Sequence, residues 1–234
     1  MIFLRRTLLA GLIAGLAAGA FATALQSLRV TPLILTAEVY ESAAPAHEHN
    51  AVDAAWEPAD GLERTAFTLL ANVVVGCGFG LLLAGGFAWR EAVTGQGVSA
   101  RAGLMWGLAG FATFSLAPSL GLPPAPPGSL EADLAARQTW WLLTVFATGV
   151  GLGLAVYART WVLRAASVPI VALPHIWGAP FAAGGAASVP AELATQFALA
   201  SIVTAGVFWA VLGTVDGWLY HRLTPKLPAP SNRV

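Results

Sequence analysis

The sequence predicts an all-α integral membrane protein, built as a bundle of about six transmembrane helices. The 234 residues are 57% hydrophobic and only 10% charged, whereas soluble domains carry about 25% charged residues. The apolar residues fall into separate stretches, most of them long enough to cross about 30 Å of hydrocarbon. Composition therefore excludes an ordinary soluble domain, and the net charge of zero gives no indication of a nucleic-acid partner.

The apolar stretches divide the chain into six expected spans within a single domain, residues 1–222. A long outer loop, 26–64, joins the first two spans, and a flexible tail is expected over 223–234. Lys and Arg concentrate on the cytoplasmic side of membrane proteins. With six spans, most of the basic residues lie on the same side of the membrane as the N-terminus. Both termini are therefore expected to be cytoplasmic. The expected spans are 7–25, 65–89, 102–117, 138–157, 167–187 and 193–220.

Small residues repeat every four positions along the first span, at Gly11, Gly15 and Gly19. Such a stripe lets a second helix pack closely, so we expect this span to be part of the bundle. The same segment contains Ala20-Phe21-Ala22, which resembles a signal-peptidase site. Cleavage as a signal peptide is therefore an open alternative.

Two further spans carry small-residue stripes. The second has Gly76, Gly80 and Ala84 on one face, and the fourth has Gly149 and Gly153. Each stripe predicts a close contact with a neighbouring helix.

The fifth span is apolar but contains Pro169, Pro174 and Pro180. Each proline lacks a backbone N–H and clashes with the preceding turn, so an unbroken helix is not expected. The segment also carries His175 within its apolar sequence. Broken backbone and an ionisable group at membrane depth indicate a site facing protein or water. The alternative is a kinked, packed helix in which His175 bonds to a neighbour.

The outer loop contains His47 and His49 together with several carboxylates, including Glu38 and Glu41. Imidazole and carboxylate groups suit first-row transition metals, so these four residues are candidates for capturing a metal ion. A solvated acidic loop is the alternative interpretation. At the end of the loop, Asp60 is expected to cap the second spanning helix.

Asp216, near the end of the sixth span, is a further candidate metal ligand, because carboxylates in apolar spans are usually functional. A hydrogen-bonded helix-end residue is the alternative. Other polar side chains in or near the spans are interpreted as hydrogen-bonding links between helices. These are Gln26, Asn72, Gln138 and Gln196.

Enzyme activity has little support in the sequence. It contains no Walker A lysine, no HExxH and no GxSxG motif. The single cysteine, Cys77, excludes an internal disulfide and any CxxC site. The chain is therefore not expected to be an enzyme or to hold a prosthetic group.

Several motifs run through the chain in a fixed order. They are TPLILTAEVYE at 31–41, WEPADGLER at 56–64, GLMWGLAGF at 103–111, LAPSLGLPP at 116–124, RQTWW at 137–141 and LPHIWGAP at 173–180. Together they resemble the CbtA family of cobalt transporter subunits. The resemblance implies a bacterial inner-membrane protein that takes up cobalt for cobalamin supply, with a small single-span, histidine-rich partner of the CbtB type. The chain has Ala125 where the family pattern has a glutamate.

The predicted function is that of a permease component for a divalent transition-metal ion, cobalt(II). In this hypothesis His47, His49, Glu38 and Glu41 collect the ion outside. His175 then lines a mid-membrane site, and Asp216 assists release inside. The alternative is a non-transporting membrane scaffold or assembly factor that docks a periplasmic or membrane partner.

Overall fold

The computed structural model describes residues 2–43, 58–182 and 187–224, and all regular structure within them is helical. This confirms the predicted all-α class. The elements are α1 (Ile2–Arg29), α2 (Thr31–Ala43), α3 (Leu62–Thr94), α4 (Ala100–Phe111), a π-helical turn (Ala112–Leu116), α5 (Ala117–Ser119), α6 (Leu134–Tyr157), α7 (Trp161–Ala165), α8 (Ser167–Trp177) and α9 (Ala191–Arg222).

Among the residues that the structure describes, four helices are long and apolar enough to cross a membrane: α1, α3, α6 and α9. They contain the predicted first, second, fourth and sixth spans. Each helix extends beyond its predicted span, because helical geometry continues past the edge of the apolar sequence.

The predicted third span is a composite helix. α4, the π-helical turn and α5 follow one another without a break, and the residues at the joins keep right-handed helical φ and ψ angles. Together they run from Ala100 to Ser119, about 30 Å at 1.5 Å per residue. The π turn is marked by a hydrogen bond from the Ala117 N–H to the Ala112 carbonyl, five residues earlier.

The predicted fifth span, 167–187, begins as one short helix, α8, and the shorter helix α7 lies just before it. α8 contains both Pro169 and Pro174 and ends at Gly178, which has a φ of 93°. Pro169 lies in the first turn, where no intrahelical N–H bond is needed. α8 therefore runs through Pro169 and Pro174, and the break expected at these two prolines is not observed. Residues 178–182, which include Pro180, are irregular.

The predicted outer loop begins as helix. α1 continues to Arg29, and α2 occupies Thr31–Ala43. Pro32 does not interrupt α2, because it is the second residue, where a missing N–H costs little. His47 and His49 lie outside the described residues.

The predicted helix cap at Asp60 is wrong. Gly61, with a φ of 90°, is the cap residue of α3, and the cap position makes no side-chain hydrogen bond to the helix. The Asp60 carboxylate instead lies 3.0 Å from Nε of Arg64. A guanidinium one turn away competes successfully for a carboxylate that sequence pattern assigns to the backbone.

The predicted stripe on α1 packs against α3. A side chain on Gly11 would collide with the backbone of Gly80, and one on Gly15 with that of Gly76 and Cys77. Ala84, one turn beyond Gly80, is also fully buried. The stripes of the first two spans are therefore confirmed, and α1 belongs to the core of the bundle.

A second close crossing joins α4 to α9. Gly103 and Gly107 of α4 face Gly213 and Gly217 of α9, with backbone atoms where side chains would otherwise lie. The sequence analysis did not identify this pair of stripes.

The predicted stripe on the fourth span is wrong. Added side chains would meet only an ordinary contact at Gly149 and open space at Gly153. Gly151, on another face of α6, is the residue that lies against α8.

The bundle has two ends, which we name from the chain. The N-terminal end holds the start of α1 and the ends of α3 and α9, joined through Arg6, Glu91 and Tyr220. The opposite end holds α2, the loop before α6 and the start of α9, where the Ser188 hydroxyl donates to the Gly128 carbonyl at 2.9 Å.

Candidate functional site

The buried face of α9 carries the most unusual polar group of the described chain. Every fourth residue along one face of α9 is buried in the bundle: Thr204, Phe208, Leu212, Asp216 and Tyr220. Asp216 is fully buried, and neither carboxylate oxygen has a hydrogen-bond partner among the described residues. An unpaired buried carboxylate is costly, so this position favours a bound proton or cation.

A polar cluster closes the bundle one helical turn beyond Asp216. The Arg6 guanidinium pairs with the Glu91 carboxylate and donates to the Tyr220 hydroxyl, which itself donates to Glu91 at 2.8 Å. A second Arg6 nitrogen donates to the Thr224 hydroxyl at 2.9 Å. The guanidinium also lies 3.9 Å from the centroid of the Tyr220 ring. The cluster ties α1, α3 and α9 together between Asp216 and the N-terminal end.

Sequence reasoning placed most basic residues on the cytoplasmic side but missed this cluster. The sequence does contain one indication of it: two apolar helices each carry a charged residue near one end, and the charges of Arg6 and Glu91 are opposite. Topology brings those helix ends together, although the residues are far apart in the chain.

A smaller cavity of about 220 Å³, with a largely apolar lining, lies between α1, α3, the π turn and α9. Five of its lining side chains carry oxygen: Gln26, Asn72, Ser115, Ser201 and Thr204. We call it the inner chamber. The Asn72 amide nitrogen donates to Thr23 at 3.0 Å and to Gln26 at 2.7 Å, so the predicted linking role of Asn72 and Gln26 is confirmed.

A larger cavity of about 1050 Å³ opens at the opposite end, between the loop before α6, α6 and the first half of α9. We call it the outer cavity. Most of its lining is apolar, and an ion pair between Arg137 and Glu131 forms part of it. The two cavities share Ser115, Ser201 and Ala205 in their linings, so they adjoin each other.

His175 lies away from both cavities. It is two residues from the end of α8, and its ring meets that of Trp140 edge to face, with centroids 5.6 Å apart. The Trp140 indole nitrogen donates to the Pro174 carbonyl at 3.1 Å. Nε2 of His175 is buried and has no hydrogen-bond partner among the described residues, so it offers an unused nitrogen ligand.

The loop carboxylates have different surroundings. Glu38 receives two hydrogen bonds from Arg64, at 2.8 and 3.4 Å, so its charge is compensated. Glu41 is exposed near Gly128. Over residues 2–43, 58–182 and 187–224, no three His, Cys, Asp or Glu side chains lie together as a metal site. Glu38, Glu41, His175 and Asp216 therefore do not form one site.

Comparison with known families decides what kind of chain this is. The family model described as a probable cobalt transporter subunit, CbtA, matches residues 4–221. The chain belongs to the CbtA family. No curated protein and no solved structure matches it. With four apolar helices long enough to span a bilayer, this CbtA chain is a multi-pass membrane protein, and its family is one of cobalt transporter subunits.

Proposed function

We propose that this chain is the membrane subunit that takes up cobalt(II), as a divalent transition-metal ion, for cobalamin supply. The observation that carries the proposal is Asp216, a fully buried carboxylate without a partner among the described residues, on a membrane-spanning helix. Ionisable groups in such positions mark ion or proton pathways. Because the chain belongs to a family of probable cobalt transporter subunits, we propose cobalt as the transported ion.

The proposal includes six crossings with both termini in the cytoplasm of a bacterial inner membrane. The composite helix from Ala100 to Ser119 is long enough for one of them. α7 and α8 supply another, because α6 ends beside Trp89, near the end of α3, whereas α9 starts at the opposite end. In the proposed topology the chain therefore crosses back between Tyr157 and Ala191.

We propose that the ion is first collected at the opposite end by Glu41, His47, His49 and His175. Glu38 joins this set only when Arg64 releases it, since that guanidinium occupies its carboxylate. The ion then crosses the bundle to Asp216, which hands it on toward the N-terminal end. Ala125 lines the outer cavity, so the glutamate of the family pattern would add a carboxylate there.

A small single-span, histidine-rich protein of the CbtB type is the proposed partner. Its imidazoles would supplement the collecting residues at the opposite end, where the described residues alone do not assemble three ligands.

Uptake of radioactive cobalt tests the proposal, in cells that lack other cobalt uptake systems and express the chain alone or with this partner. We expect uptake in at least one of the two conditions. A folded, inserted chain that moves no cobalt in either condition would favour the scaffold alternative.

His175 is tested by two substitutions in the same assay. His175→Phe keeps a ring against Trp140 but removes the nitrogen, whereas His175→Ala removes both. A ligand role predicts that both variants lose uptake about tenfold or more, the usual cost of damaging a metal site. Normal uptake by His175→Phe would leave His175 a packing residue.

A further inference from the structure

We propose that the inner chamber is a second ion site, which holds a hydrated divalent cation through neutral oxygen atoms before the ion reaches Asp216. The inference deepens the proposed function, because it names a waiting position on the same route. The chamber takes oxygen-bearing side chains from α1, α3, the π turn and α9.

The hydroxyl groups of the chamber provide the main evidence. Three threonines outside the chamber lining serve for comparison. Thr23, Thr113 and Thr144 donate to the carbonyl four residues earlier in the chain, at 2.8 to 2.9 Å, as helical hydroxyls often do. Ser201 and Thr204 make no such bond to a described residue, although Thr204 is buried. Hydroxyls at this depth need a polar partner, and the chamber is large enough to provide water.

The amides add oriented oxygen atoms. Both hydrogens of the Asn72 amide are engaged by Thr23 and Gln26, which leaves its Oδ1 available to water or a cation. Amide and hydroxyl oxygens, together with retained water, are ligands that hard and borderline cations accept. With no carboxylate in its lining, the chamber would bind weakly, as a site that must release its ion requires.

The π turn places Ser115 between the two cavities. π turns inside α-helices occur frequently at functional sites, because one added residue changes which side chains face inward. The Ser115 hydroxyl accepts a bond from the Trp209 indole at 3.3 Å. The rings of Phe79 and Phe114 lie 4.6 and 5.7 Å from that of Trp209, and Phe79 and Trp209 form part of the chamber lining.

The distance to Asp216 makes the chamber a separate site. Thr204 and Asp216 are twelve residues apart on α9, which is about 18 Å along a helix. Phe208 and Leu212 are buried between them on the same face. One ion cannot contact both positions at once.

Cysteine accessibility tests the chamber directly. Because Cys77 is the single cysteine, Cys77→Ala gives a background in which Ser201→Cys or Thr204→Cys is the lone thiol. A cationic, membrane-impermeant methanethiosulfonate is added with and without cobalt(II). Controls are Leu199→Cys, which lies exposed on the outside of α9, and Leu212→Cys, which is fully buried beyond the aromatic rings.

We expect both chamber thiols to react about tenfold faster than either control, because the reagent attacks a hydrated thiolate. We also expect cobalt(II) to slow the reaction at the chamber and to leave both controls unchanged. Chamber thiols that react no faster than Leu212→Cys, or that cobalt does not protect, would overturn the inference.

A charge-adding variant supplies a second test that does not depend on loss of folding. Gln26→Glu places a carboxylate in the chamber and can still accept the Asn72 hydrogen bond, and ligand charge tightens cation binding. Half-protection of Thr204→Cys should then need about tenfold less cobalt, and an unchanged concentration would count against the site. If cobalt protects the chamber thiols in a chain that transports no cobalt, only the proposed function is contradicted. If the chain transports cobalt but cobalt does not protect these thiols, only this inference is contradicted.

Discussion

At the residue scale, the sequence identified Asp216 as a buried acid but not the residues around it. Its apolar neighbours along the chain predict burial, and the structure shows complete burial. The Arg6–Glu91–Tyr220 cluster depends on which helices become neighbours, and residue patterns do not encode that. Asp60 shows the same limit, because Arg64 competes for the carboxylate that the capping pattern assigns to a backbone N–H.

The Arg6 cluster predicts a large effect on stability. Arg6→Gln should destabilise the folded chain by about 3–5 kcal/mol, because removing one partner of a buried ion pair leaves the other uncompensated. Arg5→Gln, at the exposed neighbouring arginine, is the matched control and should change stability little. Unfolding by a denaturing detergent measures both variants.

A double substitution refines that test. Adding Glu91→Gln to Arg6→Gln should recover part of the lost stability, because no charge is then left unpaired. Equal stability of Arg6→Gln and Arg5→Gln would contradict the structural role of the cluster.

At the element scale, periodic small residues predicted some helix contacts and missed others. The stripes on α1 and α3 indicate the faces that meet, because only glycine allows such close backbones. On α6 the same spacing selected the wrong face. A stripe shows that close approach is sterically permitted, but the partner helix decides which stripe is used.

Alanine substitutions at two glycines of α3 distinguish the effect of helix packing on stability from the effect of helix propensity. A methyl group at Gly76 would overlap the Gly15 carbonyl, whereas one at Gly78 would meet nothing within 4 Å. Gly76→Ala should therefore lower the thermal stability of the purified protein. Gly78→Ala should preserve or raise it, since alanine is favoured over glycine in helices by about 1 kcal/mol. Equal effects of the two substitutions would contradict the α1–α3 contact.

At the scale of the whole molecule, the described chain is closed toward its N-terminal end. The aromatic rings around Trp209 and the Arg6 cluster lie in succession between the inner chamber and that end, whereas the outer cavity opens at the opposite end. Sequence reasoning anticipated the bundle and its apolar spans. It did not anticipate the inner chamber between α1, α3 and α9, because cavities depend on how whole helices are arranged.

The six proposed crossings predict a specific membrane topology. Reporter fusions at the N-terminus, at the C-terminus and in the loop between Tyr157 and Trp161 should all report the cytoplasm. A reporter in the loop between Ser119 and Leu134 should report the other side. A C-terminal reporter on the side opposite the N-terminal one would require an odd number of crossings and would contradict the proposed course of α7 and α8.

The most direct test of the account is cobalt flux through Asp216. We would measure the initial rate of radioactive cobalt uptake into proteoliposomes that contain the purified chain, with its partner if the cell assay requires one. Asp216→Asn is compared with Glu192→Gln, the same change of charge at an exposed acid on the same helix. The account predicts that Asp216→Asn loses about tenfold or more of the rate and that Glu192→Gln keeps it. A wild-type rate in Asp216→Asn, with the protein folded and inserted, would contradict it.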